Sequence, residues 1–171
     1  GITTLLAEEL DTSPDTIQVV FAGANAAYRN PDYGLQLTGG SNSLSSSWSQ
    51  IREAGAAVRT LLLQAASEAF ALPQDNLECR NAYVSVKSTG KKVSFGALAK
   101  LASQQDLPQE IKLKEPAQFK YIGKFDARLD AAAKVKGESV YGIDVELQDL
   151  KYCVVERAPK YGGKLKSANI E

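Results

Sequence analysis

The chain has 171 residues, of which 44% are hydrophobic and 23% charged, the composition of an ordinary globular protein. Twenty basic and twenty acidic side chains cancel, so net charge gives no reason to expect nucleic acid or an anionic membrane as a partner. No apolar run approaches the ~20 residues of a membrane span. The chain has no histidine, which removes the commonest general base and metal ligand. Any chemistry must therefore use carboxylates, Lys, Tyr, Cys or a cofactor.

Two features bear on processing and redox state. Cys79 and Cys153 lie far apart without CxxC spacing, which predicts two buried or half-buried thiols, and neither a single disulfide nor a metal site has support from the sequence. The chain contains no methionine and no recognisable signal peptide. We expect it to be a piece of a longer polypeptide, although processing of a shorter precursor would also explain the missing start.

The N-terminal stretch ITTLLAEEL predicts a helix that Pro14 terminates. Its apolar face comprises Ile2, Leu5, Leu6 and Leu10. Glu8 and Glu9 are expected on the opposite, solvated face. The β-branched run TIQVVFA, residues 16–22, predicts a strand.

Residues 23–43 are mostly turn formers, and a loop of this length is usually functional or mobile. A helix is predicted from about Leu44 to Phe70, capped by Ser43 or Ser45. The residues assigned to its buried stripe are Trp48, Ile51, Ala54, Val58, Leu61, Leu62, Ala65 and Phe70. The small residues 55–57 are expected to allow close packing against another element.

The C-terminal half predicts β structure and one short helix. Short strands with a turn at residues 88–91 precede a helix after Gly96. Residues 106–123 carry two prolines and many charges, and form the candidate linker or domain boundary. SVYGIDVEL and LKYCVVERA predict two further strands joined by a QD turn. The fold class is therefore α+β.

The stretch TGGSNS, residues 38–43, directly precedes the long predicted helix. Unpaired N–H groups at a helix start, glycines that admit a ligand and hydroxyl donors together favour an anion such as phosphate. The stretch lacks the Lys of a nucleotide-hydrolysing phosphate loop. A flexible loop with a serine-rich helix start is the alternative that composition alone favours.

Several motifs, in order, resemble the molybdopterin-binding large subunit of the xanthine dehydrogenase and aldehyde oxidase family, closest to the isoquinoline 1-oxidoreductase beta branch. They are the GITTLLAEEL helix, the TGGS loop, the REAGAAVR helix (Arg52 to Arg59) and the RLDAAAKVKG run (Arg128 to Gly137), followed by YGIDV. Gly1 matches the second glycine of the family's GQG motif, whose Gln is absent here. Val58 stands where the family usually has Ala.

The resemblance implies a molybdenum–pterin cofactor, usually extended as a cytosine dinucleotide, that passes electrons to an iron–sulfur subunit. The implied cofactor contacts are Gly39, Gly40, Ser41 and Ser43, with Thr38 as a weaker candidate. The family's catalytic glutamate has no matching position, so no catalytic residue is assigned. Arg52 and Arg59 share a helix face and could neutralise a phosphate, although ion-paired or surface arginine is favoured over that role.

The resemblance further implies a partial molybdopterin-binding domain at residues 1–118 and the start of an α/β hammerhead domain at residues 119–171. The expected activity of the whole protein is hydroxylation of N-heterocycles, or oxidation of aldehydes, with water as oxygen source. The chain alone is expected to be inactive, and the whole protein is expected in the periplasm. The alternative is a non-catalytic α+β module that binds a protein partner or a small anion.

Overall fold

The computed structural model describes residues 1–124, 128 and 130–169. Two compact units, Gly1–Phe125 and Asp126–Glu171, divide the chain. The elements are mixed, as the α+β prediction requires. Helices are α1 (Ile2–Leu10), α2 (Ser43–Ser46), α3 (Trp48–Phe70), α4 (Phe95–Ala102) and α5 (Ala131–Val135), and strands are β1 (Leu77–Arg80), β2 (Tyr83–Val86) and β3 (Lys92–Ser94). In the described residues no helix is long and apolar enough to cross a membrane.

The core of the first unit lies between α3, α4 and an antiparallel sheet of order β1-β2-β3. Leu77 pairs with Val86 and Tyr83 with Ser94, so the predicted strands and the turn before β3 are confirmed. Alternate strand residues point into the core, as expected for a sheet with one covered face. The buried core residues are Leu62, Ala65, Ala66, Leu77, Cys79, Val84, Val86, Leu98 and Ala102.

Helix α1 packs closely along the N-terminal half of α3, where the small residues 55–57 are buried. A Cβ added to Gly55 would lie 2.9 Å from the Cβ of Glu9 and 3.2 Å from the backbone oxygen of Leu6. Real Cβ atoms do not approach other atoms so closely, so only glycine fits at this crossing. The predicted close-packing patch is therefore confirmed.

The long helical segment differs from the prediction in three details. It begins at Ser43 and is interrupted at Ser47, and Asn42 occupies the cap position without a side-chain cap bond. Ser45 instead donates its hydroxyl proton to the Asn42 carbonyl. Ala54 and Val58 are exposed because α1 covers the adjacent face of α3, which includes Arg52.

The strand predicted at residues 16–22 is wrong. Residues 17–22 have no regular structure, and Phe21 is 94% exposed. A strand requires a neighbour for its backbone N–H and C=O groups, and in the described residues this run has no ladder partner. High β propensity alone therefore did not create a strand here.

The second unit contains α5 and a single 3-10 turn at Gly142–Asp144, but none of the predicted strands in its described part. Its apolar side chains are mostly exposed, Ile143 at 94% and Val154 at 89%. Two strands without a covering layer are marginal in water, which accounts for their absence. Position 129 of the Arg128 to Gly137 motif lies outside the described residues. The domain division at residue 118 stays a prediction.

The predicted linker, residues 106–123, is partly packed against the rest of the first unit. Its part at residues 112–122, hereafter the 112–122 segment, lies against α1 and contributes several contacts to buried side chains. Cys79 is buried and Cys153 exposed, and both are free thiols. Burial raises the pKa of Cys79 to about 12, so this thiol behaves as a packing residue.

Candidate cofactor-binding loop and buried charge cluster

The TGGSNS loop is exposed at its first four residues and ends at the start of α2. Two consecutive residues, Gly40 (φ 61°) and Ser41 (φ 54°), have left-handed backbone conformations. Gly40 adopts this conformation without cost, whereas Ser41 is strained in it. The loop is thus a tight reversal that presents its backbone to solvent.

Two backbone N–H groups of this loop have no acceptor within the described residues. Within the described residues, the N–H groups of Gly40 and Ser41 donate no hydrogen bond, and the Asn42 N–H makes only a long bond of 3.5 Å to Gly39. The first N–H groups of α2, at Ser43 and Leu44, lack intrahelical acceptors as at any helix start. Unpaired N–H groups on small, exposed residues can donate hydrogen bonds to an anionic group.

Asn30 holds the base of the loop and is nine-tenths buried. Its Nδ2 donates to Ser46 Oγ at 3.1 Å and, more weakly, to Asn42 Oδ1 at 3.4 Å. Its Oδ1 accepts the Asp32 N–H at 2.9 Å. The NPDYG turn therefore holds α2 in place through Asn42, just before the helix, and Ser46, its last residue.

A cavity of about 280 Å³ lies beside the loop. It is lined by Ile2, Ala27, Tyr28, Arg29, Asn30, Pro31, Leu37, Ser43, Ser47, Gln50 and Ile51. Of the predicted cofactor contacts, Ser43 lines this cavity, while Thr38, Gly39, Gly40 and Ser41 form the exposed reversal next to it. Arg29 and Gln50 are polar lining residues that the sequence did not single out, since neither belongs to a recognisable motif.

The prediction that Glu8 and Glu9 are solvated is wrong, because both are completely buried. The Glu8 carboxylate accepts three successive backbone N–H groups of the 112–122 segment: Lys120 at 2.9 Å, Tyr121 at 2.7 Å and Ile122 at 3.0 Å. The Lys114 ammonium lies 3.4 Å from the same carboxylate. Buried charge is tolerated only when it is paired and hydrogen-bonded in this way.

Glu9 pairs with the two arginines of α3. Arg52 Nε donates to Glu9 Oε1 at 2.8 Å, and Arg59 Nη1 donates to the Glu9 backbone oxygen at 2.7 Å. The Arg52 guanidinium also lies over the rings of Trp48 and Phe119, 5.4 and 5.1 Å from their centroids. Ion-paired arginine, favoured in the sequence analysis, is the role that these contacts give Arg52 and Arg59.

The cluster lowers the pKa values of Glu8 and Asp11. Burial would raise the pKa of Glu8, but the three backbone N–H groups and the Lys114 ammonium outweigh it and lower the pKa. Burial also opposes the charged form of Asp11, whose pKa is nevertheless lowered by Lys114 and Lys120 at 2.8 and 2.6 Å. Both carboxylates are therefore charged at neutral pH. In the part of the chain that the structure describes, no group of three or more His, Cys, Asp or Glu side chains could hold a metal ion.

The first unit is thus an α+β domain with an exposed loop at the start of a helix. In the comparison with known proteins, the model of the molybdopterin cofactor-binding domain matches residues 1–150. The chain belongs to this family, within the molybdopterin-binding large subunits of the xanthine dehydrogenase and aldehyde oxidase class. The cofactor of the family is a molybdenum–pterin.

Three relatives support this assignment. The chain is 29% identical to the membrane-bound aldehyde dehydrogenase [pyrroloquinoline-quinone] of Gluconacetobacter polyoxogenes over 96% of the chain and 21% of that protein. It is 28% identical to the beta chain of isoquinoline 1-oxidoreductase from Brevundimonas diminuta over 92% of the chain and 25% of that protein. It is also 28% identical to a nicotinate dehydrogenase subunit of Pseudomonas putida, over 92% of the chain and 13% of that protein. The chain thus spans a quarter or less of each relative.

Proposed function

We propose that this chain supplies one wall of the cofactor site in the large subunit of a molybdenum hydroxylase. The observation that carries the proposal is the open TGGSNS reversal, whose unpaired N–H groups and small side chains suit an anionic group. The family match independently calls for a phosphate-bearing pterin. Residues and cofactor chemistry therefore fit each other.

In this proposal Gly39, Gly40, Ser41 and Ser43 contact the cofactor, and Thr38 lies at the edge of the contact. The cofactor is a cytosine dinucleotide, and its pyrophosphate is the anion that the open N–H groups receive. When bound, the molybdenum–pterin supplies the redox chemistry that adds a water-derived oxygen to substrate carbon. The residues of this chain bind and orient that group.

The proposed substrate class is drawn from the relatives, whose names specify aldehyde, isoquinoline and nicotinate. We infer that the whole protein hydroxylates an N-heterocycle or oxidises an aldehyde. Two of the relatives are subunits of larger enzymes, which supports an electron-accepting iron–sulfur partner. The 171-residue chain alone is proposed to be inactive. The periplasmic location is a further part of the proposal, and cell fractionation tests it.

Two glycine variants in the native protein test the loop assignment. A Cβ at Gly39 would meet only Leu37, at an ordinary 3.5 Å, and a Cβ at Gly23 would meet nothing within 4 Å. Neither glycine has a positive φ, so Gly39→Ala and Gly23→Ala should fold equally well. Gly39→Ala places a methyl group in the loop, whereas Gly23→Ala adds one outside it.

We expect Gly39→Ala to lower the molybdenum and pterin content of the purified protein, and Gly23→Ala to leave both unchanged. Equal thermal unfolding midpoints for the two variants would show that the fold is not responsible. Full cofactor content in Gly39→Ala would overturn the loop assignment. A folded wild-type protein that contains no molybdenum would instead favour a non-catalytic anion-binding module.

A further inference from the structure

A second anion-binding arrangement in the first unit lies outside the proposed cofactor loop. It surrounds the Glu8 carboxylate, which is completely buried and accepts the N–H groups of Lys120, Tyr121 and Ile122. These three donors come from consecutive residues that belong to no helix or strand. Consecutive backbone N–H groups that converge on one point form a concavity selective for anions.

The donors and the carboxylate come from distant parts of the chain. Glu8 lies on α1, more than a hundred positions before the residues that it binds. Lys114, from the same 112–122 segment, adds its ammonium at 3.4 Å from the carboxylate and a second bond to the backbone oxygen of Glu8. The segment thus provides a positive charge together with the three converging N–H groups of residues 120–122, hereafter the cup.

We propose that residues 114–122 form a carboxylate-binding site and that Glu8 is its tethered ligand. The site is suited to a carboxylate, because three N–H donors and one ammonium surround a position where the two carboxylate oxygens can accept hydrogen bonds from all four groups. Docking of the 112–122 segment on α1 is consequently a binding event between a site and an internal ligand. The inference does not depend on cofactor binding.

A specific consequence separates this proposal from general packing. If the cup is a binding site, removal of the Glu8 side chain leaves a cavity that a small free carboxylate can enter. Acetate or formate should then replace the lost group and stabilise the folded chain by mass action. If Glu8 only fills space, acetate and formate should stabilise the variant no more than any other small anion, or no anion should stabilise it.

The experiment uses thermal unfolding of the full 171-residue chain as wild type, Glu8→Ala, Glu8→Gln and Glu53→Ala. Glu53 is an exposed helical glutamate on α3 and serves as the matched control. Each protein is measured in sodium acetate, sodium formate and sodium chloride at equal ionic strength. We expect Glu8→Ala to lower the Tm by about 10 °C, because it leaves three part-buried backbone N–H groups without their acceptor and removes one of the two carboxylates beside Lys114.

Acetate and formate, but not chloride, should raise the Tm of Glu8→Ala part of the way back to the wild-type value. This increase should saturate as the anion concentration rises. Glu8→Gln should show no such rescue, because its amide fills the cavity without carrying charge. Wild type and Glu53→Ala should not respond. Equal responses to chloride and acetate, or equal rescue of Glu8→Gln, would overturn the proposal.

A measurement on the wild type covers the case in which Glu8→Ala does not fold. Hydrogen exchange should show the amides of Lys120, Tyr121 and Ile122 protected, although they belong to no helix or strand. The exposed amides of Leu107 and Gln109 provide the unprotected reference in the same stretch. Exchange of all three cup amides at the rate of Leu107 would contradict a bound carboxylate at this position.

Discussion

Two regions of the first unit offer backbone N–H groups to an anion, and they differ in what meets those groups. In the 112–122 segment the donors are part-buried and bind the completely buried Glu8 carboxylate. In the TGGSNS loop the donors of Gly40 and Ser41 are exposed and, within the described residues, have no acceptor. The first region is closed by the chain itself and stabilises the fold. The second remains available, as expected for a surface that receives a separate molecule.

The difference also concerns free energy. Buried charge partners are costly to separate, whereas exposed loop contacts compete with water and contribute little. Substitutions in the closed region should therefore affect folding strongly, and those in the open region should affect binding more than folding. Four measurements on the isolated chain address this contrast, beginning with the largest expected effect.

Glu9→Ala should be the most damaging single change, because it leaves the buried Arg52 guanidinium without its carboxylate partner. Removal of one member of a buried ion pair costs about 3–5 kcal/mol. Urea unfolding measures this loss of the free energy of unfolding. Glu53→Ala, an exposed glutamate on α3, should change it by no more than about 0.5 kcal/mol. Similar values for both variants would refute a stabilising role for the cluster.

Gly55→Ala should destabilise the chain by about 1–3 kcal/mol, because its Cβ would lie 2.9 Å from the Cβ of Glu9 and force α1 away from α3. Gly96→Ala is the matched control within another helix. A Cβ at Gly96 meets nothing within 4 Å, so alanine should stabilise α4 by about 0.5–1 kcal/mol. The two substitutions are chemically identical and should have opposite signs. A stabilising Gly55→Ala would contradict the tight crossing.

Acid should weaken the closed region first. The folded-state pKa values of Glu8 and Asp11 are lowered, so both carboxylates contribute stability above their ordinary values of 4.5 and 3.8. That stability is lost as the pH falls below these values and through the lowered folded pKa values. The facing Lys120, whose pKa is raised by its hydrogen bond to Asp11, stays charged in this range.

Urea unfolding between about pH 6 and strongly acidic solution measures this dependence. Glu8→Gln should unfold with a shallower dependence on pH than wild type, because one of the two perturbed carboxyl groups is gone. An unchanged slope for Glu8→Gln would show that other groups control acid unfolding. Glu53→Ala should retain the slope of the wild type.

Asn30→Ala should produce the smallest change in folding, about 1 kcal/mol, because it removes a few hydrogen bonds at the base of the open loop. Its main effect should be faster hydrogen exchange at residues 42–46. Asn25→Ala, which removes one exposed side-chain cap in the preceding stretch, is the control and should leave that exchange unchanged. Equal exchange in both variants would mean that Asn30 does not hold the loop.

The sequence predicted α1, the long helical segment, α4 and the short strands with their turn, since periodicity and turn residues are local signals, but it did not predict α5. It failed for Glu8 and Glu9, because acidic residues in an amphipathic helix normally face water. One signal was present: Glu9 follows Leu5 by four positions and so shares its apolar face. The partners of Glu8, however, come from beyond residue 112, and no local pattern predicts a contact between residues so far apart in the sequence.

The open loop was predicted more successfully than the closed cluster. Its glycines, hydroxyl residues and position before a helix are all local features, and the structure places them in an exposed reversal. Strand predictions failed at residues 16–22 and in the second unit because a strand depends on a neighbour that sequence alone does not specify. The supporting role of Asn30 was not predicted, since a buried asparagine in an NPDYG turn looks like any turn residue.

The most direct test is the identification of the cofactor in the native protein purified from its source cells. Metal analysis, together with release of the pterin nucleotide by acid, should find molybdenum and pterin in amounts equal to the protein. Cytosine monophosphate in the hydrolysate would establish the dinucleotide form. Pyrroloquinoline quinone in place of the pterin, named for one relative, or molybdenum at background level, would contradict a molybdenum–pterin site at the TGGSNS loop.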